Sequence, residues 1–92
     1  MCTYTTEIIP VHGSGKINGA WQRVDEAAVY FDHPVHFPAG HSLMIDVRSS
    51  RNDSAERVAL ELDATSARAL AEAILATLDQ VPPALRADSH VG

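Results

Sequence analysis

Positive charge is scarce in this 92-residue chain. Seven Lys and Arg stand against twelve Asp and Glu, a formal net charge of −5. Nucleic acid and anionic membranes both attract a basic footprint, so neither is expected as a partner. Cysteine is scarcer still: Cys2 is alone, and no intrachain disulfide can form. An acidic, single-cysteine chain whose first ten residues lack a basic segment and a long apolar run is expected to work in the cytoplasm. No apolar run approaches the roughly eighteen residues that span a bilayer. Aromatics are only 5% of the residues, so the core must be built from Val, Ile, Leu and Ala. Internal repeats and heptads are missing as well. What is present is 46% apolar composition, enough for one globular domain.

The apolar pattern places the elements. Thr3 to Val11 is rich in Thr, Tyr and Ile and reads as a strand, at a sheet edge because of Pro10. His12 to Ala20 holds three of the five glycines and reads as a loop or wide hairpin connection. From Ala27 the odd positions Val29, Phe31, His33, Val35 and Phe37 alternate through a second strand, Trp21 to Phe37. Ser42 to Arg48 repeats the alternation with Leu43, Ile45 and Val47. A three-residue Pro38-Ala39-Gly40 turn then predicts Phe37 opposite His41, Val35 opposite Leu43, His33 opposite Ile45 and Phe31 opposite Val47. Ala55 to Leu62 is a further strand, with Val58, Leu60 and Leu62 inward. Asp63 is an N-cap for a helix over 64–78, and Pro82-Pro83 stops it.

The expected architecture is α+β, a small antiparallel sheet of about four strands (β-β-β-β-α) with one C-terminal helix on one face. Residues 1–80 make the domain and 81–92 a proline-containing tail. One helix is about 10–12 Å wide, covering two to three strands at 4.7–4.9 Å spacing. The sheet left over needs another cover, so a homo-oligomer, dimer or larger, is expected.

Four of five histidines lie between positions 12 and 41. His12, His33, His36, His41 and Cys2 are the candidate ligands for zinc or another first-row transition metal. Their spacing matches no closed zinc pattern and no HExxH helix. His33 and His41 share a face in the predicted register but sit about 13 Å apart along it. His33 falls inside an apolar stripe, where burial would keep the ring neutral and suited to ligation or to general-base work. Trp21, Tyr30 and Phe31 are candidate walls of a ligand pocket. His12-Gly13-Ser14-Gly15-Lys16 lacks the GxxxxGK[ST] spacing and the following helix of a phosphate loop.

The opening Met1-Cys2-Thr3-Tyr4-Thr5-Thr6-Glu7-Ile8, the His12–Lys16 segment and Val29-Tyr30-Phe31-Asp32-His33-Pro34-Val35-His36 resemble a family of short bacterial proteins, mostly actinobacterial, known as a domain of unknown function. That resemblance implies a free-standing small protein and brings no activity or site. Three functional readings follow from the residues. The first is a metal-binding protein with imidazole ligands, which supports metal-assisted chemistry on a small molecule if a coordination position is open. The second is a metal-free oligomeric module or accessory subunit that binds a small molecule. The third is an isomerase or lyase-like enzyme with His33 as catalytic base and an amide of Gly13 or Gly15 polarising the substrate.

Overall fold

The structure, a computed structural model, describes residues 5–51 and 56–87. One antiparallel sheet runs in the order β1-β2-β3-β4, with β1 at Thr5–Ile17, β2 at Ala20–Asp32, β3 at Ser42–Arg48 and β4 at Val58–Leu62. Helix α1, Ala64–Gln80, and the single-turn α2, Pro83–Arg86, follow. The chain is the small α+β sheet-and-helix fold that the alternation predicts, and β1, with Pro10, lies at an edge. Asp63 caps α1, its carboxylate accepting from the Ser66 N–H at 2.7 Å, which satisfies one of the otherwise unpaired first-turn amides.

Two expectations need correction. The glycine-rich stretch from His12 is strand, not loop: β1 continues to Ile17 and turns back within two residues. Asn18 and Gly19 both have positive φ, 52° and 81°, the geometry of a two-residue hairpin turn that matches strand twist. The β2–β3 register is the second. Phe31 pairs with Leu43, Val29 with Ile45 and Ala27 with Val47, a slip of four residues from the predicted pairing. The slip is even, so every side chain keeps its face. β2 ends at Asp32, and residues 33–41 form a wide loop rather than a tight turn. Pro34 has no N–H for the ladder, and the next three amides bond to a side chain instead, as described below.

The sheet curls strongly. Between Pro10 and Gly13 the β1–β2 register shifts, leaving Val11 and His12 as a bulge. Past the bulge, the hairpin tip swings across to β4 at the opposite edge. A Cβ on Gly15 would stand 3.1 Å from Val58 Cγ2 and 3.2 Å from Val24 Cγ1, so only glycine fits this approach without displacement. The Asn18 amide donates to Glu56 and ties the tip there. Asp25, beside the bulge, accepts from the Ser50 N–H at 2.7 Å and hydroxyl at 2.8 Å, which pins the start of the β3–β4 connection.

The two faces are then sorted by alternation. Val29, Phe31, Leu43 and Ile45 look toward α1, while Tyr30, Met44, Asp46 and Glu61 line the far face. Among the described residues buried apolar side chains are few: Ile17, Val24 and Ala27 in the curled hairpin and Met44 on the far face. No residue of α1 is buried.

Candidate functional site

The far face holds the densest set of polar groups. The register aligns Tyr30, Met44 and Glu61 across three strands, with Ala28, Asp46 and Ala59 in the next row. Met44 is therefore the floor, flanked by a phenol and a carboxylate. The 33–41 loop folds over this row and makes a wall. Its N–H groups at Val35, His36 and Phe37 all donate to the Glu61 carboxylate, at 2.9, 2.9 and 2.7 Å. Successive amides pointing into one concavity form an anion nest, and here the chain fills it with its own side chain. The Val35 amide, followed by those of His36 and Phe37, holds the Glu61 carboxyl below the usual carboxylate range against the opposing effect of burial.

The opposite wall is a hydrogen-bonded trio. Tyr30 donates its hydroxyl proton to Asp46 Oδ2 at 2.8 Å, and Arg57 Nε lies 3.2 Å from Asp46 Oδ1. Burial first, and then the Asp46 bond and charge, push the Tyr30 phenol up, so it stays protonated as a donor. Beside the floor, two residues earlier on β3, the Ser42 hydroxyl is fully buried and donates to Met44 Sδ at 3.0 Å. Tyr30, Met44, Asp46, Arg57 and Glu61, together with Val35, Phe37 and Pro38, line a solvent-open pocket of about 620 Å³. That volume, apolar walls and a few convergent polar groups are what a small-molecule site requires.

The histidines divide differently from the expectation. His33 is exposed in the loop, not buried in an apolar stripe, because β2 stops one residue before it. Its Nδ1 lies 2.8 Å from the Gly40 carbonyl, which can only accept, so Nδ1 is the donor in this contact. The His33 and His41 rings stand 4.6 Å apart between centroids, far closer than the predicted 13 Å, because the loop folds back on itself. His41 also stacks on Phe31 at 6.0 Å. His36 lies at the far-face pocket, and His12 is in the β1 bulge. Cys2 lies outside the described residues. Among the described residues no three of His, Cys, Asp and Glu come together as a metal cage.

The proposed aromatic pocket does not converge. Tyr30 and Phe31 point to opposite faces, and Trp21, 70% exposed, stands near the hairpin tip. Gly13 and Gly15 pair with Val24 and Gln22, at the end of β2 remote from His33. Met44, Arg57 and Glu61 carry no motif that marks them in the sequence. Their only local signal is Glu61 on the polar side of an otherwise apolar strand.

A four-stranded sheet with one lightly seated helix and a polar-rimmed pocket on its free face defines a small α+β domain. The chain belongs to the family described as Family of unknown function (DUF6295), which matches residues 1–87. Neither a curated protein nor a solved structure matches it. No helix among the described residues is long and apolar enough to cross a membrane.

Proposed function

We propose that this protein is a small-molecule-binding module whose site is the far-face pocket, independent of any metal. The observation that carries this reading is the state of the polar groups there. Tyr30 is held as a donor, Asp46 is shared between Tyr30 and Arg57, and Glu61 is committed to three amides. Groups fixed in this way give the pocket a set polar geometry against which a ligand can be oriented. The ligand class is a compact organic molecule with an apolar body against Met44 and Phe37 and a polar head toward His36 and Tyr30. The chain has two methionines, Met1 and Met44, so a methyl-labelled sample reports on the floor directly. Titration with benzoate, phenol and benzylamine is expected to shift the Met44 methyl signal saturably with at least one probe. No shift with any of them, and no organic molecule retained in native mass spectra, would end this reading.

A second reading keeps the imidazole pair as a metal site. Anchoring of Nδ1 on a carbonyl, as at His33, is how metal-binding histidines are oriented, and His41 is its immediate neighbour. Untagged protein incubated with zinc and then dialysed is expected to retain ion, and His33→Ala to lose it. A metal-to-chain ratio near zero after loading removes this reading.

A further inference from the structure

We propose that the exposed apolar stripe of α1 is an interface with a second copy of this chain, the two α1 helices lying antiparallel about a two-fold axis. The inference uses the opposite sheet face from the ligand pocket and does not rest on that reading. On one side of α1, Ala67, Leu70, Ala71, Ile74, Leu75 and Leu78 form one continuous stripe. Leu70 is 38% exposed, Ile74 53%, Leu75 62% and Leu78 48%. Between this stripe and the sheet lies an apolar groove of about 590 Å³, walled by Val29, Phe31, Leu43 and Ile45. Packing of the apolar face is what makes a helix of this length stable, and one chain supplies little of it.

The missing cover is of protein size: four large aliphatic side chains of the stripe, Leu70, Ile74, Leu75 and Leu78, stand between 38% and 62% exposed. The stripe is also about 16 Å long, more than a small ligand would cover.

The sequence of the stripe matches itself when reversed. With Leu70 against the partner's Leu75, Ala67 meets the partner's Leu78 and Ala71 meets the partner's Ile74. Small residues then face large ones, as interdigitating packing requires. Charge agrees with the same register. Arg68 and Asp79 lie about 20° apart around the helix, on one flank of the stripe. Neither forms an ion pair among the described residues. In the antiparallel register Arg68 falls within about 3 Å, along the axis, of the partner's Asp79. The two-fold axis makes this pair twice, as an isologous interface must.

The test is sedimentation of the untagged full chain over low to high micromolar concentrations. The expected species has twice the 9.9 kDa chain mass. Arg68→Asp is expected to weaken the dimer about tenfold, since two pairs turn repulsive. Adding Asp79→Arg to that variant is expected to restore it. Both positions are exposed, so folding is preserved, and circular dichroism checks this. A folded monomer at all concentrations would overturn the proposal, as would a monomer that retains a small molecule against the α1 methyl groups. A dimer indifferent to Arg68→Asp, or a ring or filament, would overturn this interface equally.

Discussion

Met44→Ala is expected to lower the thermal midpoint by about 8 to 40 °C. Truncating a buried methionine costs about 2–5 kcal/mol, and a domain this size loses about 4–8 °C per kcal/mol. Met44 is 8% exposed, sits between Tyr30 and Glu61, and is the partner of the fully buried Ser42 hydroxyl. The variant therefore leaves both a cavity and an orphaned donor. Met44→Leu preserves volume but not the sulfur acceptor, so an intermediate loss is expected, and adding Ser42→Ala should recover part of it. Thermal unfolding followed by circular dichroism measures the series. A Met44→Ala midpoint within a few degrees of the parent would show that the far face is not a core.

Glu61→Gln is expected to release the loop over the pocket. The carboxylate accepts one amide on Oε2 and two on Oε1. Glutamine offers one acceptor oxygen and points an NH₂ group at the remaining donor. Amide exchange at Val35, His36 and Phe37 should accelerate by about tenfold or more, with charge assistance also lost. The parent protein should show the same release in acid. The folded pKa of Glu61 is depressed by the Val35 amide first, so the contact contributes fully above the open-chain value and is lost as pH falls through the lowered one. Asp25, held low by Ser50, and Asp63, held low by Ser66, weaken in the same direction. Exchange rates recorded on both sides of this window test the point. If the three amides are equally protected in Glu61→Gln, the loop is held by something else.

The legible parts of the fold are those governed by short-range chemistry. Leu43, Ile45 and Val47 alternate, Asp63 is a capping residue at a helix start, and Pro82-Pro83 forbids continuation of α1. Each declares its element within a few residues. Face assignments survived the register error because the slip of four is even. The β1 end misled because Gly13-Ser14-Gly15 has the composition of a loop, while its glycine serves the approach of Val58 from the far edge. The site was hidden for a related reason. Glu61 meets amides some 24 to 26 positions earlier in the chain, and no local pattern encodes that encounter. The imidazoles drew attention by number, yet their arrangement follows from the loop that Glu61 holds.

The curl at Gly15 bears on how copies can add to one another. An open sheet presents two free borders to which further strands can be templated. At the hairpin end of this molecule those borders lean on each other, so strand-by-strand growth is obstructed there. The proposed association by way of the helix, through a surface matched to its own reverse, would terminate at two molecules, a finite particle rather than a fibre.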